Sequence, residues 1–96
     1  MATFKLRPQA NIDLLSIWRA SQEKFGTAQA DRYIELLNEK MEMLTENPLI
    51  GKNRAEIKIN YRSFRVESHV IFFRQENYGI SISRILHKRM DFLTYL

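Results

Sequence analysis

Apolar and polar positions alternate in two different rhythms along this chain. Ala2 to Leu6 alternates at period two and predicts a short first strand. From Pro8 to Phe25 the rhythm becomes helical. Ile12, Leu15, Trp18 and Phe25 mark one face, with Leu14 and Ile17 beside it. Proline suits the first turn of a helix, where its missing N–H would have no partner. Gly26 is placed for a left-handed C-terminal position, and Thr27 for capping the next helix. The second helix has the clearest period. Ala30, Tyr33, Ile34, Leu37, Met41 and Leu44 recur at helical spacings, and Asn47-Pro48 ends the run. So short a link predicts an antiparallel helix hairpin.

Leu49 to Asn60 reads as a charged connector. Three strand-like runs follow, Tyr61 to Glu67, His69 to Gln75 and Tyr78 to Leu86. The polar breaks Glu67-Ser68 and Glu76-Asn77 are tight, so the runs predict an antiparallel meander. Val70 to Phe73 is apolar on both faces, as a central strand is. With a short C-terminal helix, the order predicts one α+β domain over residues 1–96, its helices packed on one sheet face.

Composition narrows the function classes. The apolar fraction of 45% and aromatic fraction of 11% suit an ordinary folded domain. No apolar run approaches the roughly 20 residues that span a bilayer. Met1 to Arg7 lacks the apolar core of a secretory signal. Cysteine is absent, which excludes disulfides and cysteine-ligated zinc and fits a cytoplasmic protein. Two distant histidines and scattered carboxylates make no metal set, and there is no glycine-rich phosphate loop. No metal and no cofactor are expected. The net charge of +4 is a moderate bias towards acidic partners.

The chemistry-bearing residues gather where the last strand ends: Arg84, His87, Lys88, Arg89 and Asp91. Strict alternation puts Arg84 on the face of Ile80, Ile82 and Leu86, so a bulge or an open sheet face must accommodate it. Arg84 is then either an ion-pair partner of Asp91 or a contact for another molecule. Cleavage of RNA through the ribose 2′-OH would need a base, an acid and cations. His69, His87, Arg62, Arg65, Arg84, Lys88 and Arg89 are the candidates. The sequence offers no second histidine or glutamate beside His87 to complete an acid–base pair. A basic cluster without such a pair suits docking better than proton transfer. Trp18 and the strand aromatics read as core rather than as a base-stacking platform.

Arg84-Ile85-Leu86-His87-Lys88-Arg89-Met90-Asp91 resembles the "R-I-L-H-x-x-x-D" ending of ParE-type toxins, within the RelE/ParE superfamily. Four more pieces in the same order resemble that family. They are Ala10-Asn11-Ile12-Asp13-Leu14, then Phe25-Gly26 with Gln29-Ala30 and Tyr33, and Asn47-Pro48-Leu49-Ile50-Gly51. The fourth is Tyr61-Arg62-Ser63-Phe64 with His69-Val70-Ile71-Phe72-Phe73, where Phe73 stands in place of the family's common tyrosine. The resemblance implies the toxin of a type II toxin–antitoxin system, held inactive by a ParD-like antitoxin. It also implies DNA gyrase as target, trapped in its DNA cleavage complex so that replication stops, with no catalysis by the toxin. Direct nucleic-acid binding stays open. A RelE-like ribosome-dependent mRNA endonuclease, or a non-toxic binding module of the same fold, are the alternatives. On this reading Arg84, His87, Lys88 and Arg89 contact the target. Trp18, Tyr33, Ile34 and Leu37 face the antitoxin, although the last three also fit core positions.

Overall fold

The computed structural model describes residues 2–96. Strand β1 (Thr3–Leu6) leads into helix α1 (Pro8–Phe25) and helix α2 (Thr27–Glu46). A 3₁₀ turn (Pro48–Ile50) and β2 (Lys52–Asn53) precede β3 (Tyr61–Val66), β4 (His69–Glu76), β5 (Gly79–His87) and the short α3 (Phe92–Tyr95). The expected meander is present as β3, β4 and β5, but it is only part of the sheet. The sheet has five strands in the order β1-β5-β4-β3-β2, and β1 runs parallel to β5. The sheet is therefore mixed. A parallel partner lies far away in sequence, and the two exposed residues of β2 carry no alternation, so neither pairing shows in local pattern.

Gly79 permits the β1 contact. Its φ is +144°, and a Cβ there would lie 1.9 Å from the Thr3 carbonyl oxygen, so any side chain would push β1 away. Between the helices Gly26 also has positive φ, +91°, but its ψ of 168° lies outside the left-handed helical well. Its N–H bonds the Gln22 carbonyl at 2.9 Å. Thr27 begins α2 instead of capping it, and no side chain caps that end.

The predicted stripe of α2 is the buried one. Ala30, Leu37, Met41 and Leu44 are fully enclosed, and Tyr33 and Ile34 pack on them half-buried. Helix α1 departs from expectation. Its buried residues are Ala10, Asp13 and Ile17, whereas Ile12, Leu15 and Phe25 are 55%, 49% and 65% exposed. A carboxylate in the sheet-facing stripe interrupts the apolar rhythm, so the apolar period points to the neighbouring stripe. Ala10, with no side chain beyond Cβ, lets α1 lie close on the sheet.

A bulge in β5 decides which side chains face which way. Phe72 sits opposite Arg84 but Phe73 opposite Ile82, so Ser83 is the extra residue. Ile80, Ile82 and Ile85 thereby all reach the helix-side core, with Ile71 and Phe73. Leu86 turns to the other face with Val70 and Phe72, where Ile57, Met90, Phe92 and Leu96 cover it. The Phe72 and Phe92 rings meet edge to face at 4.7 Å. The strand carrying Val70 to Phe73 is central and buried on both sides. Leu37 is 0% exposed. Leu37→Ala should therefore lower unfolding free energy by about 2–5 kcal/mol in urea titration, and a loss under about 1 kcal/mol would contradict its core placement.

Candidate functional site

Strand β1 ends at Leu6, which pairs with Ile82. Beyond that point the edge of β5 has no neighbouring strand, and its amides need other acceptors. Asp13 on α1 supplies one. Its Oδ2 accepts the Ile85 N–H at 2.9 Å and the Arg84 Nε–H at 2.8 Å, and its Oδ1 accepts from Arg84 Nη2 at 2.9 Å. The two-pronged pair is largely dehydrated, with side-chain exposures of 16% for Arg84 and 10% for Asp13. These hydrogen bonds raise the Arg84 pKa above its ordinary value, against the opposing effect of burial. Arg84 Nη1 also donates to the Tyr95 carbonyl at 2.9 Å. The expected Arg84–Asp91 ion pair does not form. Asp91 instead caps α3, accepting from the Leu93 N–H at 3.1 Å and the Thr94 hydroxyl at 2.8 Å. Arg84 is thus occupied internally and stands apart from the basic cluster.

The other three members stay together. His87 closes β5, Lys88 donates its N–H to the Ser68 carbonyl at 2.8 Å, and Arg89 donates its N–H to His87 Nδ1 at 3.2 Å. The Lys88 and Arg89 side chains are exposed and have no ion-pair partner among the described residues. His87, contrary to expectation, does have a histidine neighbour. His69 begins β4 directly opposite it, with ring centroids 5.3 Å apart. On its other side His69 meets Tyr33, whose hydroxyl lies 2.6 Å from Nδ1 and 3.3 Å from the Val66 carbonyl. The tautomer satisfying both contacts carries the His69 proton on Nδ1, donated to the tyrosine oxygen, while Tyr33 donates to Val66. Burial raises the Tyr33 pKa.

Burial first, and then the His87 ring, lower the His69 pKa to about 4. His69 is therefore neutral near pH 7. In the unfolded chain it titrates at about 6.5. Below that pH the unfolded chain takes up a proton that the folded one does not. The stabilising contribution is complete above pH 6.5 and fades as pH falls towards 4. Urea titrations of the wild type should show roughly 1–3 kcal/mol lost across that window, and a His69→Gln variant should lose less. Equal losses in both proteins would contradict the assignment.

These groups face an open cavity of about 430 Å³ between the hairpin tip and the sheet end. Ile17, Ala20, Lys24 and Phe25 of α1, Tyr33 of α2 and the His69–His87 pair line it, together with Glu67 and Ser68 of the β3–β4 turn. Of the four hairpin candidates for the antitoxin, Tyr33 belongs to this cavity. Trp18 is half-buried and its indole N–H donates to Asp31 at 2.8 Å. Ile34 is half-buried against the core. Leu37 is corrected to pure core, since with no exposed surface it has nothing to offer a partner.

The cations considered for RNA cleavage are dispersed. Arg62 donates to the Gly51 carbonyl at 2.9 Å, and Arg65 to the Glu67 carbonyl at 3.0 Å. Among the described residues no three His, Asp or Glu side chains are placed to hold a metal, and no helix is long and apolar enough to cross a membrane. Sequence reasoning missed Asp13 and the pairing of His69 with His87. Asp13 had a signal, as the one charge in the Ala10–Ile17 stripe.

A family model for the ParE toxin of the type II toxin–antitoxin system parDE matches residues 4–92. Toxin ParE1 of Mycobacterium tuberculosis is 35% identical over 89 residues, covering 92% of this chain and 91% of that protein. Toxin ParE1 of Caulobacter vibrioides is 32% identical over 96 residues, covering 100% and 99%. Toxin ParE of Escherichia coli is 31% identical over 97 residues, covering 100% and 94%. A solved structure of a chromosomal ParDE system from P. aeruginosa superposes with a TM-score of 0.78 at 22% identity, covering 91% of this chain and 96% of that one, and so supports the fold. With the family model spanning nearly all of it and relatives matched along their length, the chain belongs to the ParE toxin family of type II toxin–antitoxin systems.

Proposed function

We propose that this toxin acts in the cytoplasm by binding DNA gyrase and trapping its DNA cleavage complex, without performing catalysis, and that a ParD-like antitoxin neutralises it. The observation that carries the reading is the turn after β5. His87, Lys88 and Arg89 present two exposed cations, without ion-pair partners among the described residues, on a backbone held by two hydrogen bonds. Such a fixed basic corner suits docking on an acidic surface, whether of gyrase or of its bound DNA. Arg84 leaves the docking set and becomes the residue that ties the C-terminal segment to α1. Trp18, Tyr33 and Ile34 remain the antitoxin-facing candidates on the hairpin.

One observation favours the runner-up, ribosome-dependent mRNA cleavage: His69 and His87 do lie side by side. Yet with its pKa lowered to about 4 His69 is neutral near pH 7, and its one N–H is committed to Tyr33, so it cannot serve as an imidazolium acid. A gyrase supercoiling and cleavage assay, run beside mRNA cleavage on ribosomes, separates the two. His87→Gln sharpens the comparison. It keeps a hydrogen-bonding side chain but cannot titrate near pH 7, so docking predicts substantial residual toxicity and catalysis predicts none.

A further inference from the structure

The sheet has a second face, turned away from the hairpin. One part of it is apolar, with Val70, Phe72 and Leu86 under Ile57, Met90, Phe92 and Leu96. The next part is basic. Arg74 lies two residues beyond Phe72 on β4 and so shares its face. Ser81 on β5 pairs with Arg74, and Lys5 on β1 pairs with Ser81. On the other side Arg74 pairs with Tyr61 on β3, whose carbonyl accepts the Arg54 N–H at 2.8 Å. Arg54 Nε–H donates at 2.8 Å to Ser63, which pairs with Phe72, so this cation is on the same face. Lys5, Ser81, Arg74, Tyr61 and Arg54 thus form one row across the sheet. At about 4.8 Å per strand, its cations recur about every 10 Å. Lys58 Nζ stands 5.6 Å from the Tyr61 ring centroid and adds a fourth.

These charges are only partly used. Arg74 is half-buried, its Nε is buried with no hydrogen-bond partner, and it forms no ion pair among the described residues. A dehydrated guanidinium nitrogen without an acceptor is costly, and an incoming anion relieves that cost. Lys5 and Lys58 are exposed and also lack an ion pair among the described residues. Two acids share the region. Glu76 accepts from the Ser81 hydroxyl at 3.1 Å, and Glu56 pairs with Arg54 at 3.4 Å. Cations spaced at about 10 Å do not converge on one small anion, but they match a chain of phosphates. Tyr61 is 9% exposed and offers no ring for a base to stack on, so the contact is with the backbone and not with sequence. A flexible single strand adjusts its phosphates to a flat row, whereas a duplex presents a convex surface to it. The Ser81 hydroxyl is committed to Glu76, so the row offers it to no ribose 2′-OH and RNA gains nothing over DNA.

We propose that this sheet face binds the phosphodiester backbone of single-stranded DNA, with Arg74 at the centre and Lys5 and Lys58 on either side. The site is distinct from the basic corner. His69, opposite His87, is five residues from Arg74 along β4, about 17 Å. A strand held here leaves His87, Lys88 and Arg89 free. The inference goes beyond the gyrase reading and stands without it.

Fluorescence anisotropy of a labelled oligothymidylate, titrated with purified toxin alone, tests it. The wild type should bind, with an affinity that falls with salt at a log–log slope of about −2, as for about three phosphates on a single strand. Lys5→Gln and Arg74→Gln should each weaken binding about five- to tenfold and reduce the slope by about 0.7. Lys5 is exposed, so its variant answers even where Arg74→Gln disturbs the fold. Lys88→Glu with Arg89→Glu should stay within about twofold of the wild type in about 0.15 M salt, where about 17 Å exceeds the screening length. No binding by the wild type at low salt would overturn the proposal. So would Lys5→Gln binding as tightly as the wild type, or a loss confined to the corner variant. Tighter binding of an oligouridylate, or of a DNA duplex, would overturn the assignment to single-stranded DNA. The assay contains no gyrase, so its failure leaves the target reading where it stands.

Discussion

Asp13→Ala is expected to lower the unfolding free energy by about 3–5 kcal/mol, from a single change on a helix. Asp13 satisfies two kinds of group at once, a guanidinium and a sheet-edge amide. Without the carboxylate, the Arg84 charge stays largely dehydrated with no counterion, and the Ile85 N–H loses its acceptor. Both are uncompensated burial, which costs more than the net value of the pair. The loss should also be local in character. Arg84 holds the Tyr95 carbonyl, so backbone amides from Leu93 to Leu96 should exchange with solvent faster in the variant. A double-mutant cycle with Arg84→Ala should give a coupling energy of about 1–3 kcal/mol. Additive effects, or an Asp13→Ala cost below about 1 kcal/mol, would show that the contact is incidental.

The second large effect concerns activity. Lys88→Glu combined with Arg89→Glu should abolish growth inhibition when the toxin is expressed without antitoxin. Stability should shift by only about 0.5 kcal/mol per site, because both side chains are exposed and unpaired. The reversal places two negative charges where the proposed partner surface is acidic, and repulsion there costs affinity and encounter rate alike. Toxicity equal to that of the wild type, with normal expression and folding, would remove the corner from the mechanism.

How much of this was legible depends on how local each feature is. The hairpin, the α2 stripe and the two-sided β4 follow from side-chain period alone, and all are present in the fold. The placement of β1 is not local. Its parallel contact depends on Gly79 seventy-odd residues away, and no pattern within β1 announces it. The buried face of α1 was misread because the helix buries a carboxylate, and Asp13 makes sense only beside Arg84. The need to accommodate Arg84 was visible as a break in alternation, and the bulge at Ser83 is how the strand does so. That same bulge sets the register that brings His69 opposite His87, so their pairing could not be counted from the two strands without it. The basic turn His87-Lys88-Arg89 was readable because exposed charges need no partner to be placed.

Purified toxin added to DNA gyrase with relaxed plasmid and ATP should stop supercoiling in a dose-dependent manner. Quenching with detergent and protease should then release linear DNA from trapped cleavage complexes. The Lys88→Glu, Arg89→Glu protein should do neither. Unaltered supercoiling and no linear DNA, alongside cleavage of mRNA on ribosomes by the same preparation, would contradict the gyrase reading and put the endonuclease in its place.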